Sequence, residues 1–355
     1  MITNHYKVIG LMSGTSLDGI DLVYATFQFK ERWTFDILKS ETVPYDENWE
    51  QTLKHLTNFS ADGLSHIDDD YSLYLAGIIS DFIKKHQIED IDFVASHGHT
   101  ALHQPEKGLT YQIGNRQILS DKLNLKVICD FRVQDMEYGG QGAPLVPIGD
   151  RHLFSDYDYC LNLGGFANVS YEDNGERLAF DICPVNIVMN KLVSEIGLDF
   201  DDNGQLASSG KVNTELLDDL NTISFYSENP PKSLGLEWVD ETIFPILLNY
   251  KLPLKDTLRT WVEHVGFQIG NVLNQENSKC LVTGGGVFNS FLMSRIEAYS
   301  TSELIIPDKK IIEFKEALIF AFLGVLRDRN EVNCLSSVTG AEMDHSSGKI
   351  FIPTN

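Results

Sequence analysis

The sequence predicts an α/β protein built from two lobes. Strand-like apolar runs alternate with helical patterns along most of the 355 residues, as they do in α/β folds. This length exceeds the ~250–300 residues at which a single core stops growing, so two lobes are expected. A strand, glycine turn and strand at residues 8–29 also recur at residues 159–171. Each lobe is therefore expected to open with a glycine hairpin.

The first hairpin carries the segment GLMSGTSLDGID at residues 10–21. Apolar runs flank it on both sides, which is typical of a buried hairpin with a polar tip. Its glycines would let a ligand approach the backbone and its hydroxyls would donate to phosphate, while Asp18 and Asp21 could hold a hydrated Mg²⁺. An ordinary Asp-Gly hairpin turn explains the spacing equally well.

Three local elements are predicted further along the chain. Apolar residues follow helical spacing at residues 65–87, with Ser65 as the N-cap, and again at residues 257–273. Asn174 and Gly175 predict a tight turn between two strands.

Composition excludes several classes of function. The net charge of −23 leaves no basic excess for nucleic acid or an anionic membrane. The most apolar late stretch, residues 317–326, is far shorter than the ~20 residues that span a bilayer, and no signal peptide is evident, so we expect a cytoplasmic protein. The five cysteines lack a CxxC pair, and we expect Cys129, Cys160 and Cys280 to pack in the core.

Further motifs follow one another along nearly the whole chain. They are SHGHT at 96–100, YQIG at 111–114, DFR at 130–132, GGQGAPLVP at 139–147, NLGGFANV at 162–169, FD at 180–181, PPKS at 230–233 and TGGG at 283–286. With the first hairpin, they resemble the anhydro-N-acetylmuramic acid kinase family, sugar kinases of the actin, hexokinase and Hsp70 superfamily. No single motif is decisive, but the set is specific.

The resemblance implies a two-lobed actin-like ATPase with duplicated ribonuclease-H-like domains and a nucleotide cleft between the lobes. Because glycine and proline punctuate residues 139–147, we assign residues 1–138 and 336–355 to the first lobe and residues 139–335 to the second. The expected ligands are ATP, Mg²⁺ and a small sugar, with no nucleic acid or membrane as partner. A homodimer is compatible with the sequence.

Asp181 is the predicted catalytic base, because the matching residue has that role in the resembling family. It follows a predicted strand at residues 178–180 and precedes a helical pattern, where a carboxylate could face a cleft. Without the resemblance, a helix-capping aspartate is the simpler interpretation.

The surrounding stretch departs from the family pattern. The family usually reads FDTGPGN, whereas this chain reads FDICPVN at residues 180–186. Cys183 and Val185 add bulk beside the predicted sugar site, which leaves open a kinase for another sugar. With Leu234 and Leu236, where the family has Thr and Arg, they also leave open a nucleotide- or muropeptide-binding regulator without turnover.

The predicted nucleotide contacts come from three glycine segments and one lysine. The glycines of TGGG follow an apolar strand and would let adenosine lie against the backbone. Lys232 could supply a cation to the phosphates, although an ordinary surface lysine explains it equally well. The full set is Gly14, Thr15, Ser16, Leu17, Asp18, Gly19, Ile20, Asp21, Gly164, Gly165, Asn168, Lys232, Gly284, Gly285 and Gly286.

The residues predicted to contact the sugar are His97, His99, Arg132, Asn186 and Glu316. Arg132 follows a strand end, and its guanidinium suits a carboxylate or phosphate. The family has Gln at the position of His99, and Asn186 could instead orient a helix. Glu316 could instead be a first-turn helix acid. A metal site of His97, His99 and His103 is disfavoured, because HxHxxxH lacks a zinc spacing.

The resemblance implies one reaction. Asp181 would activate water to open the anhydro ring of 1,6-anhydro-N-acetylmuramic acid, while O6 takes the γ-phosphoryl group of ATP. The product would be N-acetylmuramic acid 6-phosphate, in the recycling of cell-wall peptidoglycan.

Overall fold

The computed structural model describes residues 4–14 and 17–354, so the predicted contacts of Thr15 and Ser16 lie outside the described residues. The described strands are β1 (His5–Ser13), β2 (Ile20–Phe29), β3 (Trp33–Val43), β4 (Phe93–Gln104), β5 (Leu109–Ile113), β6 (Val127–Cys129), β7 (Tyr159–Leu163), β8 (Phe166–Asp173), β9 (Glu176–Pro184), β10 (Lys279–Thr283), β11 (Glu303–Ile305) and β12 (Lys349–Phe351).

Helices alternate with groups of these strands along the chain, in agreement with the α/β prediction. They are α1 (Glu47–Lys54), α2 (Ala61–His86), α3 (Gln117–Leu123), α4 (Val133–Glu137), α5 (Val146–Leu153), α6 (Asn186–Ser194), α7 (Gln205–Ser209), α8 (Thr214–Asn221), α9 (Leu236–Trp238), α10 (Phe244–Tyr250), α11 (Leu254–Val272), α12 (Ser290–Tyr299), α13 (Lys309–Asp328) and α14 (Ser336–Thr339). None of the described helices is both long and apolar enough to cross a membrane.

The chain divides into two compact units, residues 1–153 with 314–355 and residues 154–313. We predicted the divisions near residues 139 and 336, and the observed units differ from that at both ends. The reason is packing: a Cβ on Gly149 of α5 would lie 2.6 Å from Ile319 of α13, so these two helices fit closely together within the first unit.

The first unit contains a sheet in the order β12-β6-β4-β1-β2-β3, with β5 on β4. β1, β2 and β3 form an antiparallel meander, and β4 and β6 extend it as parallel strands. Gly10 in β1 lies against α13, because a Cβ there would be 2.3 Å from the Ala317 carbonyl oxygen. The central strands β1, β2 and β4 are mostly buried, whereas the edge strand β3 is largely exposed.

The second unit repeats this arrangement in the order β11-β10-β7-β8-β9. β7, β8 and β9 form the antiparallel meander, and β10 and β11 are the parallel additions. Its core contains the fully buried Trp261 of α11. The repeated hairpin predicted from the sequence is thus confirmed, and each sheet has the ribonuclease-H-like strand order.

Local predictions were confirmed in type and corrected in detail. Asn174 and Gly175 both have positive φ, as a tight hairpin turn between β8 and β9 requires. The N-cap of α2 is Ser60 rather than Ser65, because the Ser60 hydroxyl accepts the Gly63 amide at 3.2 Å. Asp181 lies inside β9 rather than after a strand. The cysteines expected in the core are buried.

Candidate active site

Two glycine loops lie side by side in the second unit. Gly164 and Gly165 join β7 to β8, and Gly284, Gly285 and Gly286 follow β10. β7 and β10 are parallel neighbours, so both loops extend from carboxyl ends of strands, where α/β sheets bind ligands. The structure therefore brings these five predicted nucleotide contacts together.

The glycine loop that follows β10 has one position that is open to a ligand. A Cβ on Gly285 would meet no atom within 4 Å. Gly284, in contrast, has φ +85°, and its Cβ would lie 2.8 Å from the Leu163 carbonyl oxygen. A Cβ on Gly286 would lie 2.7 Å from the Leu163 side chain. Gly284 and Gly286 thus serve packing, while Gly285 presents bare backbone.

Asn186 begins α6 and holds the first of these loops. Its side-chain amide donates to the Gly164 carbonyl oxygen at 2.7 Å. The backbone amide of Val185 donates to the Gly165 carbonyl oxygen at 2.7 Å. Of the two predicted roles of Asn186, these contacts match the orientation of the helix entry.

Asp181 is a half-buried carboxylate on β9, and Asn168 of β8 is its exposed cross-strand neighbour. One carboxylate oxygen accepts the Leu234 backbone amide at 2.8 Å. In the described part of the chain no Lys or Arg forms an ion pair with Asp181. Burial raises the pKa of Asp181, and the Leu234 hydrogen bond opposes that shift. Such a carboxylate is suited to accepting a proton.

Lys232 lies near Asp181 but directs its ammonium group elsewhere. The Lys232 Nζ donates to the Phe225 carbonyl oxygen at 2.9 Å and lies 4.7 Å from the centroid of the Phe225 ring. Burial lowers the pKa of Lys232. A role at phosphate requires the side chain to leave these contacts.

Cys183 and Val185 are fully buried members of the second unit's core. Burial raises the pKa of the Cys183 thiol, and the neighbouring Asp181 carboxylate adds to the effect. The side chains that replace the family's glycines are therefore packed in the core, although both residues follow closely after Asp181 in the chain.

Reverting both residues to glycine is expected to destabilise the protein rather than to reshape a pocket. We expect Cys183→Gly with Val185→Gly to lower the free energy of unfolding by about 3–5 kcal/mol, through added chain entropy and the cavities left behind. Thermal unfolding measures this, with Asn190→Gly at an exposed position of α6 as the control. Unchanged melting with altered sugar affinity would contradict the assignment to the core.

The polar tip of the first hairpin lies in the first unit. β1 and β2 pair from His5 to Ser13, and Ser13 faces Ile20 across the tip. Gly19 is required by packing, since a Cβ would lie 2.6 Å from the Val43 carbonyl oxygen. Asp18 is exposed, and Asp21 Oδ1 accepts the Thr42 hydroxyl at 2.6 Å.

Buried His97 and half-buried Arg132 form a hydrogen-bonded pair in the first unit. The His97 Nδ1 donates to the Gly98 carbonyl oxygen at 2.9 Å, so Nε2 accepts the Arg132 Nε at 2.9 Å. Burial and then the charge of Arg132 hold the pKa of His97 well below its usual range. Burial lowers the pKa of Arg132 to about 10, and the nearby Glu316 carboxylate opposes this. Three predicted sugar contacts are thus linked electrostatically.

His99 is held by a hydroxyl network that the sequence did not reveal. The His99 Nδ1 lies 2.9 Å from the Ser13 hydroxyl, which also lies 2.9 Å from the Tyr71 hydroxyl and contacts that of Tyr45. The His99 Nε2 makes no hydrogen bond among the described residues, so it is available to a ligand. Burial lowers the pKa of His99 to about 4.

This low pKa predicts a loss of stability in acid. His99 in the unfolded chain takes up a proton near its ordinary pKa of 6.5, whereas folded His99 does so only near 4. Between these values the unfolded state binds more protons, so the free energy of unfolding falls as the pH falls. We expect His99→Gln to reduce that slope by up to about 1.4 kcal/mol per pH unit.

Chemical unfolding at a series of pH values between 4 and 6.5 measures the effect. His66→Gln, at an exposed position of α2, controls for the loss of a histidine. An identical slope for wild type and His99→Gln would show that His99 takes up its proton at the same pH in the folded and the unfolded protein, which would contradict the lowered pKa.

The chain is similar to several known proteins. The family model for anhydro-N-acetylmuramic acid kinase matches residues 6–353. The anhydro-N-acetylmuramic acid kinase of Mannheimia succiniciproducens is 33% identical across 99% of this chain and 100% of its own. The enzyme of that name from Haemophilus influenzae is 33% identical across 97% of each chain. A solved structure, the activator of 2-hydroxyisocaproyl-CoA dehydratase from Clostridium difficile with bound ADPNP, is 14% identical, with a TM-score of 0.43 over 91% of this chain and 97% of that one.

The duplicated sheets and the family match define a sugar kinase with the actin-like fold. The chain belongs to the anhydro-N-acetylmuramic acid kinase family, as its motifs indicated. The alternatives of another sugar substrate and of a regulator without turnover are not favoured.

Proposed function

We propose that the protein is an ATP-dependent kinase that converts 1,6-anhydro-N-acetylmuramic acid and water to N-acetylmuramic acid 6-phosphate. The observation that carries the proposal is Asp181, a half-buried carboxylate without an ion-pair partner in the described residues. Asp181 lies on β9, which pairs with β8, and β8 begins directly after the loop that contains Gly164. Membership in the family supports the choice of sugar.

In the proposed reaction, Asp181 accepts a proton from water while the water oxygen bonds to the anomeric carbon of the sugar. The bond between that carbon and O6 breaks, and its electron pair stays on O6. O6 then bonds to the γ-phosphorus of ATP, and ADP leaves with the electrons of the broken phosphoanhydride bond. The raised pKa of Asp181 favours this base, because a carboxylate that binds protons more tightly drives proton transfer further.

Charge neutralisation and positioning would supply most of the catalysis. Gly164, Gly165 and Gly285 offer backbone to the nucleotide, and His97, His99, Arg132 and Glu316 remain the proposed sugar contacts. Asp18 and Asp21 fit a hydrated Mg²⁺, since both offer hard carboxylate oxygens and Asp18 is exposed. Mg²⁺ held there would neutralise phosphate charge.

The test is ATP consumption by the purified protein with 1,6-anhydro-N-acetylmuramic acid, followed by mass analysis of the product. We expect one phosphoryl group and one water to be added to this sugar, and no turnover without Mg²⁺. Reducing N-acetylmuramic acid and other amino sugars serve as controls. Preferential turnover of a control sugar, or none at all, would overturn the proposal.

We further propose that the protein acts in the cytoplasm, where its activity would serve the recycling of cell-wall sugars. Light scattering on the purified protein would decide whether it forms a homodimer.

A further inference from the structure

Three buried side chains of the first unit converge at one point away from the residues proposed for catalysis. Asp135 of α4, Cys334 and His345 each offer one ligand atom, and these atoms all lie within 4.8 Å of one another. Their side chains are buried, with exposures of 0%, 1% and 7%. The proposed reaction uses none of them.

The backbone aligns two of these residues. Cys334 and His345 form an isolated antiparallel bridge, in which the Cys334 amide donates to the His345 carbonyl oxygen at 3.1 Å and the His345 amide donates back at 3.2 Å. Residues directly opposite one another in such a pair project their side chains to the same face. The thiol and the imidazole therefore meet without any distortion of the chain.

The third residue is held by its own hydrogen bonds. The Asp135 Oδ1 accepts the Thr339 hydroxyl at 2.7 Å, and its Oδ2 accepts the Gly142 amide at 2.7 Å. Partners of this kind orient the carboxylate ligands of metal sites.

The two ring nitrogens of His345 have different surroundings. Its Nδ1 lies 3.0 Å from the Met343 carbonyl oxygen, and because a carbonyl only accepts, Nδ1 carries the proton. In the neutral ring the lone pair is then on Nε2. This Nε2 is buried and has no hydrogen bond in the part of the chain described, and Asp135 Oδ1 is 3.5 Å away. A buried ring nitrogen without a hydrogen-bond partner is costly, and a carbonyl on the opposite ring nitrogen is typical of metal-ligating histidines.

We propose that Asp135, Cys334 and His345 bind a divalent transition metal, for which Zn²⁺ is the best match. Thiolate, imidazole and carboxylate are its usual ligands, with water in a fourth position, whereas Mg²⁺ and Ca²⁺ prefer oxygen alone. On binding, the Cys334 thiol releases its proton to solvent and the thiolate sulfur bonds to the metal. Tetrahedral ligand atoms are ~3.5 Å apart, so the three side chains would close in slightly.

The site would also support a residue proposed to bind the substrate. Gly142 donates its amide to Asp135 and accepts the Arg132 guanidinium through its carbonyl oxygen at 2.7 Å. A metal on Asp135 would therefore join the loop that holds Arg132 to the segment carrying Cys334 and His345.

The experiment uses the full chain, freed of metal with a chelator and dialysed. Zn²⁺ is titrated in competition with a chromophoric chelator, and elemental analysis gives the metal content. We expect one Zn²⁺ per chain and a higher melting temperature with metal. Co²⁺ in place of Zn²⁺ should give the sulfur-to-cobalt charge-transfer absorption that requires a thiolate ligand.

The variants Cys334→Ala and His345→Gln should each weaken Zn²⁺ binding at least ~100-fold, since losing even an outer partner of a metal ligand costs 10–100-fold. Cys160→Ala and His66→Gln are the matched controls and should bind as wild type does. Absence of Zn²⁺ binding, equal binding by the ligand variants, or a Co²⁺ spectrum without charge transfer would each overturn the proposal. The Co²⁺ spectrum is read on wild type, so it decides the question even if a variant does not fold.

Discussion

Asp181→Asn is expected to lower turnover of 1,6-anhydro-N-acetylmuramic acid at least ~10²-fold while leaving ATP affinity nearly unchanged. The amide is isosteric with the carboxylate, and its oxygen can still accept the Leu234 backbone amide. It cannot take a proton from water, which is the proposed role of Asp181. A neutral amide is also cheaper to bury than a carboxylate, so the melting temperature should not fall.

The measurement pairs steady-state kinetics with calorimetric titration of ATP. Asp173→Asn, at the exposed end of β8, is the matched control and should keep full turnover. Because burial raises the pKa of Asp181, wild-type activity should decline on the acid side at a higher pH than an ordinary aspartate would give. Turnover close to wild type in Asp181→Asn would place the base elsewhere.

The fold was predictable where its signals are local. The hairpins β1–β2 and β7–β8 each combine apolar strands with a glycine tip in adjacent sequence, so their repetition could be read directly. Boundaries that depend on distant partners were not predictable. Asp181 lies inside β9 because β9 continues to pair with β8 as far as Pro184. This pairing is seen only in the folded sheet.

The sequence proposed the candidate site as a set of residues, but it could not show the contacts of their side chains. The sequence singled out His99, yet Ser13 and Tyr71, which hold it, are far from it along the chain. Lys232 was assigned to phosphate from its loop and charge, but in the folded protein its ammonium group donates to backbone carbonyl oxygens. Motif comparison likewise exposed the bulk of Cys183 without showing that the core accommodates it.

Gly284→Ala and Gly285→Val are expected to affect different properties, although the two glycines are adjacent. Gly284 has φ +85°, which alanine rarely adopts, and the new Cβ would lie 2.8 Å from the Leu163 carbonyl oxygen. We expect this change to lower the free energy of unfolding by about 2–4 kcal/mol. A Cβ on Gly285 meets nothing within 4 Å, so Gly285→Val should melt as wild type does.

If the nucleotide lies against this bare backbone, Gly285→Val should weaken ATP binding at least ~100-fold, because its side chain occupies the space that a ligand would need. Calorimetric titration of ATP and thermal unfolding, applied to both variants, separate the two effects. Normal ATP affinity in a stably folded Gly285→Val variant would reduce the segment to a structural turn. A normal melting temperature in Gly284→Ala would mean that the loop can move away from Leu163, and the contrast between the two positions would then be lost.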